Sequence, residues 1–421
     1  MKTKHCLFFI IALLATQHLS AQTLTIDDCQ LRARENYPLI RQYGLIEQSQ
    51  EYTLSNISKG YLPQISLNIQ ASYQSDVVNL PITIPGIKTP TMDKDQYKAT
   101  IDVAQTIWDG GAIRSQHKIT EAGKVVERQT TEVQLYAIRE KVNQLYFGIL
   151  TIGGQLKQLS LLNDDLHRGL KTVQALFQNG AAMQSDVDVV QVELLSVAQR
   201  ETELKSMQNA YCQMLSAMIN VEIKDDAQLV KPQDVPVSMA AAINRPETVL
   251  YETQRTMFDA QESLITAKNL PRLSLFLQGG YGKPGLNMLS NGFDTFGIAG
   301  VRLSWNFGNL YSMKNERRLI ETQKEMVNTQ QETFLFNIDL QQKQVYNDVL
   351  QSKQLLQKDD EIIRLRERVR LASESKYENG VCTINDLLKD INTENQSRQA
   401  KVLHEIQYLL ALEKYKYIVG E

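Results

Sequence analysis

The sequence predicts a mainly α-helical chain with a small transmembrane β part of four strands, and three observations carry that expectation. Landmarks in the first half of the 421 residues return in the second. Each half holds two stretches of apolar–polar alternation, the period of a strand with two unlike faces. Each half also holds long proline-free stretches with apolar residues at alternating spacings of three and four. No apolar run after residue 21 nears the ~18 residues of a membrane-crossing helix, Leu145 to Leu150 being among the longest. A mean hydropathy of −0.31 agrees for helices, but leaves a β-barrel open because only alternate strand residues meet lipid.

In chain order, the first element is an export signal. Lys2 and Lys4 precede an apolar core from Leu7 to Ala15, and the small residues Ser20 and Ala21 close it, so residues 1–21 read as a signal peptide cleaved beside Ala21. The remainder keeps 43 basic and 48 acidic residues, a net charge of −5, too mild to name a partner and no support for nucleic acid binding. Cys29, Cys212 and Cys382 remain, an odd and scattered set that argues against a disulfide framework.

The rest divides into two repeats, 22–230 and 231–421. Asn36-Tyr37-Pro38 returns as Asn244-Arg245-Pro246, and Leu62-Pro63 as Leu270-Pro271, both at an offset of 208. Trp108-Asp109-Gly110-Gly111 is echoed by Trp305-Asn306-Phe307-Gly308 at an offset of 197, and Asn179-Gly180 and Asp186 by Asn379-Gly380 and Asp386 at an offset of 200. Four matches in one order make a duplicated domain rather than a solenoid, whose period is far shorter. Each half reads as a helix, two strands and two helices.

Ile65, Leu67, Ile69, Ala71 and Tyr73 alternate with Gln64, Ser66, Asn68, Gln70 and Ser72, which is strand chemistry. After a loop over residues 76–96, Tyr97, Ala99, Ile101, Val103 and Ile107 face away from Lys98, Thr100, Asp102 and Thr106. In the second half, Leu273, Leu275, Leu277 and Tyr281 give the third strand and residues 293–305 the fourth. The fourth has no legible phase, since Phe296 and Ile298 favour one face and Val301 and Leu303 the other. From Gly111 to Gln178 no proline occurs, and Leu135, Ile138, Val142, Leu145, Ile149, Ile152, Leu156 and Leu159 form a heptad seam, predicting one helix about 100 Å long at ~1.5 Å per residue. Val187, Val190, Leu194, Val197, Leu204 and Leu215 predict a returning helix, with Gly180 as the C-cap of the first. The same turn recurs at Asn379-Gly380.

Four strands cannot close a barrel, and lipid does not tolerate an open sheet edge. Lipid-facing strands therefore require two, three or four copies; a small soluble sheet packed on helices is the other reading. The export signal, the strand length and the polar opposite faces favour lipid.

The duplication, the Leu-Pro strand entries, the aromatic-then-glycine strand exits and the aromatic-x-Asn-Gly turns together resemble the TolC-type outer-membrane efflux proteins, or outer membrane factors, over nearly the whole mature chain. The resemblance implies a homotrimer: twelve strands in one outer-membrane barrel and twelve helices in a TolC-like α-helical tunnel across the periplasm. It implies a passive duct for efflux or type I secretion, working with a periplasmic adaptor protein and an inner-membrane transporter. Carried over residue by residue, the adaptor-contact tips match Phe177, Asn179, Gly180, Ala181 and Asp186 in the first half and Tyr377, Asn379, Gly380 and Val381 in the second. The aperture aspartate matches Asp386. Threefold symmetry would make Asp386 a ring of carboxylates that gathers cations, while its position also suits an ordinary carboxylate in the first turn of a helix. Lys389 stands where the family often has a second aspartate, so a two-ring aperture is not expected.

No enzyme and no cofactor is expected. His117, His167 and His404 are isolated on helices without metal-ligand spacing. Gly280-Tyr281-Gly282-Lys283-Pro284-Gly285 matches the dinucleotide glycine pattern, but that chemistry needs a helix N-terminus at once afterwards, which Pro284 and the glycine-rich loop deny. The remaining non-enzymatic alternative is a soluble periplasmic coiled-coil scaffold or an adaptor, although an adaptor has one helical hairpin among many strands.

Overall fold

The computed structural model describes residues 23–78, 92–234, 236–239 and 241–421. The expected signal peptide and most of the loop at 76–96 lie outside the described residues. The elements run α1 (Ile26–Asn36), α2 (Gln42–Ser58), β1 (Gln64–Tyr73), β2 (Asp95–Trp108), α3 (Ala112–Tyr136), α4 (Ile138–Gln178), α5 (Gln184–Ile219), α6 (Pro246–Lys268), β3 (Arg272–Lys283), β4 (Asp294–Ser304), α7 (Asn309–Glu378) and α8 (Ile384–Val419). Two compact units result. One takes in the residues up to Ile40, Glu132–Pro246 and Phe334–Glu421; the other is Arg41–Thr131 with Glu247–Thr333.

In the first unit the heptad seam is a buried core. Ile152, Leu159, Leu166 and Val173 of α4 meet Val187, Val190, Val197 and Leu204 of α5 and Ile384, Leu387 and Leu388 of α8. Each such side chain removes enough apolar surface from water to contribute roughly 1.5–3 kcal/mol, so the seam, not helix propensity, holds these long helices. The single helix expected over 111–178 is two, α3 and α4, because Ala137 interrupts it by one residue. The seam itself continues through the break: Leu135 and Ile138 are both buried. α7 is unbroken at 70 residues, or about 105 Å.

The asparagine-x-proline landmarks tie helix ends. Asn36 Nδ2 donates to the Ala217 and Met218 carbonyls at 3.1 Å each, closing the C-terminal turn of α5. The Asn244 amide donates to the Val419 carbonyl at 2.6 Å, closing α8. Both prolines then open the next helical segment, where a missing N–H costs nothing.

The second unit contains one antiparallel sheet in the order β1-β2-β3-β4. At the exit of β2, the Asp109 carboxylate accepts from the Gly111 amide at 2.9 Å and the Ile113 amide at 2.6 Å, capping α3. Gly110 is forced: its φ is +73° and a Cβ would meet the Ala267 carbonyl oxygen at 2.7 Å. Asn306 does the same work after β4, accepting from the Gly308 amide at 3.0 Å.

Candidate functional site: the sheet faces and the helix tips

Register assigns every strand residue to a face. Ile65, Leu67, Ile69 and Ala71 pair with Val103, Ile101, Ala99 and Tyr97, of which the first three continue to Leu277, Gly279 and Tyr281 of β3 and Tyr97 pairs with Lys283 at the strand end. Leu273 and Leu275 pair with Leu303 and Val301, which settles the phase of the fourth strand: Val301 and Leu303 lie on the apolar face and Phe296 and Ile298 on the polar one. That apolar face is bare, with Ile65, Ile69, Val301 and Leu303 each 64–76% exposed. A continuous apolar sheet face of this size has to be covered by lipid or protein. On the opposite face Asp102 accepts from Asn68 at 2.7 Å, Thr100 at 3.0 Å and Gln278 at 2.5 Å, a saturated hub among amides and hydroxyls.

Aromatic rings frame the apolar face at both ends. At the loop end Phe293 stacks with Tyr281 (centroids 5.4 Å) and Tyr97 (6.2 Å), beside exposed Tyr73. At the helix end stand Trp108, Trp305 and Phe307; Trp305 and Phe307 lie 4.6 Å apart and Trp305 Nε1 donates to the Asn269 carbonyl at 3.0 Å. Amphipathic rings of this kind sit where lipid meets water. From Tyr97 to Trp108 the strand rises about 35 Å, or about 25 Å once tilted by ~45°, the height of an outer-membrane apolar band. The sequence signal for these two belts was an aromatic residue at both ends of β2 and β4 and at the loop end of β1 and β3, which alternation alone did not expose. No helix among the described residues is long and apolar enough to cross a membrane.

The helix tips lie in the first unit and are built alike. Gly180 and Gly380 both have φ +71°. The Gly180 amide donates to the Phe177 carbonyl at 3.0 Å and the Ala181 amide to Leu176 at 2.8 Å; Gly380 donates to Tyr377 at 2.9 Å and Val381 to Lys376 at 2.8 Å. Both are Schellman closures, which satisfy the last carbonyls of α4 and α7. Asn179 and Asn379 are the residues between the last helical residue and the glycine. Beyond the turns, Asp186 accepts from the Met183 amide at 2.8 Å. Asp386 accepts from the Thr383 amide at 3.0 Å and hydroxyl at 2.7 Å, while its own amide donates to Thr383 Oγ1 at 3.2 Å, a complete capping box. The Thr383 hydroxyl and amide, with Lys389 beyond them, hold the Asp386 carboxyl below the usual carboxylate range, so this exposed group stays charged.

Tyr377 packs on the seam cluster, and its buried hydroxyl has no hydrogen-bond partner among the described residues. Burial first, and the Asp186 carboxylate after it, push that hydroxyl up. Phe177, Met183 and Val381 are exposed. The histidines stay apart: His117 meets Ser58 at 3.0 Å and His404 meets Asp359 at 2.8 Å. No group of three potential metal ligands occurs among the described residues.

A family model described as outer membrane efflux protein matches residues 32–221. Among solved structures, the CmeC outer membrane channel of Campylobacter jejuni is similar at 16% identity and a TM-score of 0.62, over 94% of this chain and 85% of that one. VceC, an outer membrane protein of Vibrio cholerae, is similar at 12% identity and a TM-score of 0.61, over 94% and 96%. A membrane protein from Pseudomonas aeruginosa is similar at 13% and 0.65, over 94% and 93%. Residues 32–221 therefore resemble the outer membrane efflux protein family. The chain has the TolC-like fold, and the bare, aromatic-framed face of its sheet accords with a place in the outer membrane. No curated protein sequence matches it.

Proposed function

We propose that this chain is an outer-membrane efflux protein, the passive exit duct of a tripartite efflux or type I secretion system, a homotrimer that receives substrate from an inner-membrane transporter through a periplasmic adaptor. The observation that carries the reading is the four-stranded sheet with two unpaired edges, β1 and β4, and an uncovered apolar face. In lipid those edges must be paired. Two copies would close eight strands, whose interior side chains fill; three close twelve, about 24 Å across at ~4.8 Å spacing and ~40° tilt, wide enough for a water-filled bore. The polar face then lines the bore, and the long helices form a periplasmic tunnel of their own. The exposed apolar residues Phe177, Met183 and Val381 on two like tips supply docking points for the adaptor. Asp386, charged and exposed, supplies three carboxylates at the aperture, with Lys389 offsetting part of their field.

Fractionation tests the duct directly. The expected product is an outer-membrane oligomer of three chains that dissociates on heating in detergent; recovery as a soluble periplasmic monomer would sink the reading. In planar bilayers Asp386→Asn should lower cation selectivity and weaken block by multivalent cations, since it removes the charge while keeping an oxygen for the capping box. Unchanged selectivity and unchanged block would remove the aperture role and leave the duct standing.

A further inference from the structure

Two aromatic rings interrupt the amide and hydroxyl wall of the polar sheet face. Phe296 lies over its cross-strand partner Gly280, where a Cβ would meet the ring at 2.3 Å, and Phe276 lies over its partner Gly300, where a Cβ would meet it at 2.9 Å. Glycine at both positions lets each ring lie down on the opposite strand instead of standing off the sheet. Each ring carries a cation: Lys98 Nζ is 5.0 Å from the centre of Phe296, and Arg302 Cζ is 4.8 Å from that of Phe276. Packing of the strands requires neither cation.

The Lys98–Phe296 pair opens into a cavity of about 250 Å³ at the loop end of the sheet, lined also by Gln70, Gln96, Leu286 and Met288. Lys283 lines it too but is neutralised by Asp93 at 2.5 Å and Asp95 at 3.5 Å. Lys98 forms no such ion pair among the described residues, and the neighbouring carboxylate, Asp102, is already held by Asn68, Thr100 and Gln278. The cavity therefore offers one ammonium with no carboxylate in contact, Asp102 acting on it only across a longer distance, together with one ring face, amide donors and two apolar loop side chains. Its complement is a small anion carried on a flat apolar body: the anion meets the ammonium and the amides, and the body lies against Phe296, Leu286 and Met288.

We propose that this cavity is a binding subsite for aromatic organic anions, carboxylates or sulfonates, on the wall of the duct. The inference rests on the reading of the polar face as the lining of the bore. The full-length protein in a planar bilayer tests it, with naphthalene sulfonate added on the side of the β3–β4 loop and naphthylmethylammonium as the control of opposite charge. The sulfonate should block the current, and the half-blocking concentration should rise about tenfold in Lys98→Gln and severalfold in Phe296→Leu. Equal block of wild type and Lys98→Gln would overturn the subsite; equal block by the ammonium compound would overturn its choice of anions. A membrane-inserted oligomer that conducts nothing would overturn the duct instead. Equilibrium dialysis of naphthalene sulfonate against that same oligomer, wild type beside Lys98→Gln, then decides the subsite by a tenfold loss of binding or by none.

Discussion

Arg245 shows how much one residue of a repeated motif can carry. It is 7% exposed, and a charge so buried is costly unless its surroundings replace water. Tyr136 and Tyr417 stack on each other with centroids 5.0 Å apart, its guanidinium lies 4.6 Å from both rings, and the Tyr417 carbonyl accepts from Nη1 at 3.0 Å. The planar fork can stack and donate at once, which a lysine ammonium cannot. Arg245→Lys should therefore lower the unfolding free energy by about 1–2 kcal/mol and Arg245→Ala by about 2–4 kcal/mol. Urea midpoints of the purified protein check this, and identical midpoints for all three would deny the pin. In the sequence Arg245 was only the middle of a landmark. Its partners come from positions more than 100 residues away on either side, so no local spacing could have named them.

At the scale of elements, the two tips are the same device built from different residues. Gly180 and Gly380 share φ +71° and have open space where a Cβ would stand, so substitution there is penalised by backbone conformation alone. Gly180→Ala and Gly380→Ala should each cost about 1 kcal/mol, with Asn costing less, because Asn tolerates the left-handed region better. Amide hydrogen exchange at Ala181 and Val381 reads this locally: the donors to Leu176 and Lys376 should exchange several times faster in the alanine variants, and unaltered exchange would contradict the closure. These turns were legible because an Asn-Gly pair ending a heptad seam has few other uses, and the seam because its 3-4 spacing is what the core needs. The break at Ala137 was not, since alanine is the best helix former and the apolar rhythm runs through it. The phase of β4 was hidden for a related reason. Phe296 and Ile298 look like core residues, but the glycine opposite Phe296 makes room for its ring on the polar face, so side-chain size misreports direction there.

For the whole molecule the decisive question is which sheet face meets lipid, because closure of a barrel by several copies follows from it. Val301 and Ile298 sit three residues apart on β4 with similar side chains, yet pair with Leu275 and Gln278 and so point to opposite faces. Arginine at Val301 would enter the apolar band, at a cost of about 2–4 kcal/mol near the midplane. Arginine at Ile298 would enter the bore beside Gln278, in water, and cost little. Folding each variant from urea into lipid vesicles should leave Ile298→Arg close to wild type in yield of heat-sensitive oligomer, while Val301→Arg falls well below it. The reverse order would turn the sheet inside out, placing Asn68, Asp102 and Gln278 against lipid. Equal yields would mean that neither face meets lipid, and the open edges of β1 and β4 would then have to be covered by protein in water.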